Sequence, residues 1–70
     1  MTKNKFDRHH RLPRSKGGRN NPRNISYIPR DHHEAFHLLF KNWSAEQIAQ
    51  RLNDWFIDPA YTMLAVKKEE

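Results

Sequence analysis

The spacing of apolar and polar positions changes along the chain and predicts two short strands followed by two helices. Residues 7–12 hold one apolar side chain, Leu12, and end at Pro13, which is typical of a short strand. The segment Ile25-Ser26-Tyr27-Ile28 reads as a second short strand and ends at Pro29. Glycines, prolines, asparagines and basic residues fill residues 13–23, so a loop is expected between the two strands.

The next pattern predicts a helix over residues 32–41. Asp31 followed by Glu34 resembles a capping box at its start. Two histidines and two phenylalanines then recur at positions i, i+3, i+4 and i+7, which places them on one helix face: His33, Phe36, His37 and Phe40.

A second helix is indicated more clearly, because Ser44-Ala45-Glu46-Gln47 has the pattern of a complete capping box. Apolar side chains follow at i, i+4, i+7 and i+8, namely Ile48, Leu52, Trp55 and Phe56. We therefore interpret it as a packing helix. Residues 61–66 fit either an extended edge or a short helix, and the pattern leaves both open.

Length and composition restrict how such a chain can be stabilised. Seventy residues allow one domain with a small core, a size at which a disulfide, a metal or a partner usually adds stability. The sequence has no cysteine, so disulfides and thiolate zinc sites are excluded and a histidine-held metal remains. The N-terminus has no apolar run, so neither a signal peptide nor a membrane span is expected and the predicted location is cytoplasmic.

Charge is distributed unevenly between the two parts of the chain. Residues 1–30 hold nine Lys or Arg and one acid, a net charge of +8, whereas residues 31–70 have a net charge of −3. A basic segment of this density is typical of a nucleic-acid-binding surface, although a solvated basic arm would have the same composition.

All five histidines lie between Asp7 and Phe40, among most of the arginines. In a helix, His33 and His37 are one turn apart, about 5–6 Å between their Cβ atoms, a spacing that suits two imidazoles on one metal. Imidazoles crowded beside guanidinium groups point to a metal next to a phosphate. His32 fits no such position and is expected to face solvent or the backbone.

The order His9-His10-x-x-Pro13, then Asn24, then His33-x-x-x-His37 resembles the HNH nuclease family with its ββα-metal fold. The intervals are 14 residues from His10 to Asn24, nine from Asn24 to His33 and four from His33 to His37. They are similar to those of the colicin-type DNases, which also use a His-His pair. The resemblance covers about half the chain and implies an α+β fold, a small ββα-metal core with an additional C-terminal packing helix.

The resemblance also implies roles for individual residues. His9, His33 and His37 would bind one divalent metal ion, and His10 would be the general base that deprotonates a water. Asn24 would hold the loop and orient His10. The cations that are candidates for phosphate contacts are Arg11, Arg14, Lys16, Arg19, Arg23 and Arg30. Three imidazoles suit zinc, nickel or manganese, whereas magnesium prefers oxygen ligands, so the metal stays open among Zn, Ni, Mn and Mg.

The expected organisation is a flexible N-terminus at 1–6, the core at 7–41, a C-terminal helical extension at 42–66 and a tail at 67–70. The Cys-x-x-Cys pairs of many HNH domains are absent, so stability would come from the metal and an aromatic cluster of Phe6, Phe36, Phe40, Trp43, Trp55 and Phe56. Residues 42–66 could then serve as a homodimer surface or bind a targeting protein partner.

Two functions follow from this organisation. The first is a metal-dependent endonuclease that hydrolyses DNA with low sequence specificity, because no separate DNA-reading domain is present. The second is a catalytically silent module that keeps the fold and binds nucleic acid or protein. An intact His10 favours the first, since binding alone needs no general base.

Overall fold

Two antiparallel strands and two helices make up a small mixed α+β chain. The computed structural model describes residues 5–69. Its elements are β1 (Phe6–His10), β2 (Ile25–Pro29), α1 (Arg30–Phe40) and α2 (Ala45–Arg51). A 3₁₀ turn at Arg14–Lys16 lies in the loop between the strands, and a π-helical turn at Leu52–Phe56 continues α2.

The two strands form a hairpin whose register sets the position of the histidine pair. His9 lies opposite Ser26 and His10 lies opposite Ile25. Beyond the strands, the Arg11 amide donates to the Asn24 carbonyl at 2.8 Å, which extends the pairing into the loop. Each strand is five residues long, and the predicted pair of short strands is therefore confirmed with slightly shifted ends.

The loop between the strands depends on glycine at two adjacent positions. Gly17 has a φ of 94°, a conformation that L side chains rarely adopt. The Gly18 amide donates to the Pro13 carbonyl at 2.9 Å, and a Cβ on Gly18 would overlap the carbonyl of Leu12. The glycines thus let the loop fold back on its own first residues.

Helix α1 begins earlier than predicted. Its N-cap is Pro29, with no side-chain capping bond, so the prediction of Asp31 as the cap is wrong. The Arg30 amide donates to the Lys5 carbonyl at 2.9 Å, which lets the helix follow β2 directly. Asp31 instead lies in the first helical turn, where its carboxylate accepts from the His32 amide at 2.9 Å and interacts favourably with the helix dipole.

Helix α2 has the predicted start, and its last apolar positions lie in a π-helical turn. Ser44 Oγ accepts from the Gln47 amide at 3.2 Å, and Gln47 Oε1 accepts from the Ser44 amide at 2.8 Å, so the capping box is confirmed. The π-helical turn that continues α2 contains Trp55 and Phe56. Trp55 is 69% exposed and Phe56 is 53% exposed, so the prediction that they pack in a core is wrong.

The aromatic residues form two separate groups rather than one cluster. Phe36, Phe40 and Trp43 are in contact through their rings, and Trp55 contacts Phe56. The guanidinium of Arg51 lies between the groups, 4.8 Å from the Trp43 ring and 4.1 Å from the Trp55 ring. Among residues 5–69 no large hydrophobic side chain is fully buried.

The predicted flexible N-terminus at 1–6 is wrong at Phe6, because this residue begins β1 and belongs to the hairpin. Residues 1–4 of that segment and residue 70 of the predicted tail lie outside the described residues. Residues 61–66 have neither helix nor strand structure. No helix within the described part of the chain has the length and apolar character needed to cross a membrane.

Candidate metal centre

Three histidines from two elements meet where α1 packs against the hairpin. His9 comes from β1, and His33 and His37 come from successive turns of α1. One ring nitrogen from each residue lies within 4.8 Å of the other two. Strand pairing and the helical repeat therefore bring together the three histidines that the sequence pattern had selected.

The spacing of the two helical nitrogens fits a common metal ion. His33 Nε2 and His37 Nε2 are 3.1 Å apart. Two nitrogens bound tetrahedrally to zinc at 2.0–2.1 Å would be about 3.3 Å apart, so little movement would be needed. Phe36 supports the third ligand, because its ring packs edge-on against His9 with centroids 4.8 Å apart.

Asp7 fixes the orientation of His33. The Nδ1–H of His33 donates to Asp7 Oδ2 at 3.1 Å, which leaves Nε2 with the free lone pair facing His37. A carboxylate behind a histidine is the usual way to orient a metal ligand. The hydrogen bond from His33 lowers the pKa of Asp7, loss of hydration opposes this, and the Arg30 guanidinium, 3.1 Å from Asp7 Oδ1, lowers the pKa further.

One ring nitrogen of His9, Nδ1, is buried without a hydrogen-bond partner. This is unusual for a buried polar atom. Burial lowers the pKa of His9 below its ordinary value, and the neighbouring His33 and His37 lower it further. A neutral imidazole with an unpartnered nitrogen is the form that binds a metal. The three histidines therefore suit a divalent metal ion.

His10 points to a different partner from its neighbour. Its Nε2–H donates to Asn20 Oδ1 at 2.7 Å, which leaves Nδ1 as the nitrogen with the free lone pair. His9 and His10 are adjacent in β1, yet one contacts α1 and the other contacts the loop. A small cleft of about 290 Å³ is lined by both of them together with His33 and His37.

Asn24 holds the loop, as the sequence analysis expected. Its amide nitrogen donates to the carbonyls of Leu12 and Arg19 at 3.1 and 2.8 Å, and its Oδ1 accepts from the Leu12 amide at 2.7 Å. These bonds tie the start and the end of the loop together. The amide that bonds to His10 is that of Asn20, and the Asn24 side chain bonds to Leu12 and Arg19 instead, so the expected orientation of His10 by the Asn24 amide is wrong.

The six candidate phosphate contacts separate by position. Arg14 lines the histidine cleft, whereas Arg11, Arg19 and Arg23 line a larger groove that also reaches His9. Arg30 is paired with Asp7, the carboxylate that also bonds to His33 of the three-histidine cluster. Lys16 lines neither the cleft nor the groove.

Several residues of the site were not singled out from the sequence. Asp7 is two residues before His9 on the same strand, so the alternation of a strand could have indicated that both face the same side. Asn20 had no such signal, because its approach to His10 depends on the fold of the loop. Arg8, Ser15 and Asn42 also line the cleft. His32 is exposed, as predicted.

Comparison of the chain with protein-family models, with curated proteins and with solved structures found no match. The resemblance to HNH nucleases therefore depends on the order and spacing of the residues described above and on their geometry.

Proposed function

We propose that the chain is a metal-dependent endonuclease of the HNH type that hydrolyses phosphodiester bonds in DNA. The observation that carries this proposal is the cleft in which His9, His33 and His37 converge while His10 lines the same wall with a different hydrogen-bond partner. A chain that only bound nucleic acid would need no such separation of roles between adjacent histidines.

The proposed chemistry uses the chain's own residues for binding and proton transfer. A divalent ion held by the three histidines would supply Lewis-acid stabilisation of charge on the phosphate and on the leaving oxygen. Arg14, in the same cleft, would contact a phosphate oxygen. Asp7 would hold His33 in the tautomer that leaves Nε2 free for the ion.

His10 would act as the general base. Because Nε2–H is bound to Asn20, Nδ1 is free to accept a proton from a water. The water oxygen then forms a bond to phosphorus, the bond from phosphorus to the leaving oxygen breaks, and the leaving oxygen gains a proton from solvent. Zinc, nickel and manganese suit three imidazoles, and magnesium suits them less well.

A plasmid-nicking assay with Mg²⁺, Mn²⁺, Ni²⁺ and Zn²⁺ tests the proposal. We expect His10→Ala to lower the cleavage rate about 10²–10⁴-fold while metal and DNA binding persist, because only the general base is lost. His32→Ala is the matched control, since this exposed histidine lies outside the site, and it should leave the rate unchanged.

Cleavage and DNA-binding measurements together distinguish the endonuclease from the alternative function. If no metal supports cleavage but salt-sensitive DNA binding remains, the endonuclease proposal fails and a catalytically silent binding module is the better description. If neither cleavage nor binding is observed, the basic segment does not bind nucleic acid and a protein partner becomes the better interpretation.

A further inference from the structure

A large open groove lies next to the histidine cleft, between the loop of the hairpin and the C-terminal part of the chain. Its volume is about 780 Å³, and we call it the cationic groove. His9, Pro13 and Phe36 line both the groove and the cleft, so the two cavities adjoin at these residues.

The lining of the cationic groove has one sign of charge. Five cations line it and none of its lining residues is acidic; the cations are Arg11, Arg19, Arg23, Lys67 and Lys68. A concave surface lined by one sign of charge concentrates the field and attracts the opposite charge. Apolar side chains, including Leu12, Trp43 and Ile48, form part of its wall.

The two lysines come from the far end of the chain, and a specific contact directs them there. Asn53 Nδ2 donates to the Met63 carbonyl at 3.0 Å, and the Met63 amide donates to Asn53 Oδ1 at 2.7 Å. These two hydrogen bonds fix the segment around Met63 against the π-helical turn that follows α2. Lys67 follows four residues later, within about 14 Å of extended chain, and can therefore reach the side of the groove opposite the loop.

We infer that the cationic groove binds the phosphate backbone of one nucleic-acid strand, next to the bond that is cut at the metal centre. Because the groove adjoins the proposed cleavage site at His9, this inference rests on the proposed function. The volume is in the range of ligand pockets, roughly 300–1,000 Å³, and suits a short stretch of a single strand rather than a duplex. A positively charged groove that follows the backbone is the usual way to bind a single strand without sequence preference.

The inference assigns a role to Lys67 and Lys68 that is independent of cleavage. Binding of a fluorescent single-stranded oligonucleotide is measured by anisotropy over a series of salt concentrations, in the His10→Ala background loaded with Zn²⁺ so that the probe is not cut. The test variant is Lys67→Gln with Lys68→Gln. The control is Lys5→Gln with Lys41→Gln, which removes the same charge at positions that do not line the groove.

We expect the test variant to reduce the slope of log affinity against log salt by about 1.4, since each phosphate contact of a single strand contributes about 0.7. This slope change corresponds to roughly 25-fold weaker binding at 0.1 M salt. The control should keep the original slope, and Lys67→Arg with Lys68→Arg should restore most of the affinity. Zinc affinity should be equal in all variants.

The outcomes separate this inference from the proposed function. Equal slopes in the test and control variants would overturn the inference that the groove binds phosphates, even if the natural sequence nicks plasmid DNA. A reduced slope in the test variant alone would support the groove, even if no metal gives cleavage. Absence of any oligonucleotide binding by the natural sequence would overturn the inference as well.

Discussion

The hairpin with α1 and the C-terminal extension differ in how their side chains are held. In the first region, residues 6–40, named side chains have defined polar partners: Asn24 makes three bonds to the loop backbone, and Asp7 binds both His33 and Arg30. In the second region, residues 42–66, the side-chain bonds include those of the Ser44 capping box and of Asn53 with Met63, but none of them joins a histidine cluster. Large apolar side chains are exposed in both regions, such as Leu38 at 76% and Leu64 at 78%.

The difference indicates that the two regions are stabilised by different means. The radius of gyration is 13.9 Å, whereas a typical domain of 70 residues has about 11 Å, so the chain is less compact than usual. The first region compensates with hydrogen bonds and a site that fits a metal. The second region has exposed apolar surface, and the prediction that it forms a homodimer or binds a targeting partner stays a prediction.

The largest expected effect in this comparison concerns Asp7. Asp7→Asn should weaken zinc binding about 10–100-fold, because the carboxylate that orients His33 is lost. Isothermal titration with Zn²⁺ measures it. Asp31→Asn, an exposed acid in the first turn of α1, is the matched control and should bind zinc normally. Equal zinc affinities of the two variants would show that Asp7 does not support zinc binding.

A pair of aromatic substitutions compares the two regions directly. Phe36→Ala should lower the free energy of unfolding by about 2 kcal/mol, roughly half the cost for a fully buried Phe, because Phe36 is half-buried against His9 and Phe40. Trp55→Ala should cost about 0.5–1 kcal/mol, mainly through the lost contact with Arg51. Urea unfolding measures both.

The result of the second substitution depends on whether the C-terminal extension has a partner. If Trp55→Ala costs more than Phe36→Ala, or if its effect depends on protein concentration, the exposed apolar surface of the C-terminal extension is covered in solution by a partner or a second copy of the chain.

The smallest expected effect is a dependence of stability on pH. The pKa of His9 is lowered in the folded chain, so the unfolded chain binds the proton more readily. The stability of the metal-free protein should therefore be full above about pH 6.5, the ordinary histidine value, and should fall as the pH drops through the lowered pKa of His9. Thermal unfolding with a chelator measures this, and His9→Phe should remove much of the dependence.

Asp7 gives a second pH range, at lower pH, in which the stability of the folded chain should change. Its pKa is also lowered in the folded chain, so its contribution is present above the ordinary aspartate value of 3.8 and is lost as the pH falls through the lowered value. Asp7→Asn should remove this acid-side loss while leaving the dependence near neutral pH. Both groups lie in the first region, so these effects sharpen the difference between the regions.

Local sequence patterns were sufficient for several elements. The capping box at Ser44 and Gln47 and the helical spacing of His33 and His37 involve residues three or four apart, so their geometry follows from the helix itself. The prolines and glycines likewise marked the ends of the strands and the loop. The grouping of His9 with the two helical histidines was implied by the resemblance to HNH nucleases and not by local pattern.

The tertiary structure decided what depends on contacts between distant residues. Helix α1 starts at Arg30 because the Arg30 amide is bonded to Lys5 across the hairpin, which overrides the local capping signal at Asp31. Asn20 rather than Asn24 contacts the His10 ring, since the loop folds back over Gly18. Lys67 and Lys68 line the groove only because the Asn53 contact with Met63 directs the last segment towards the loop.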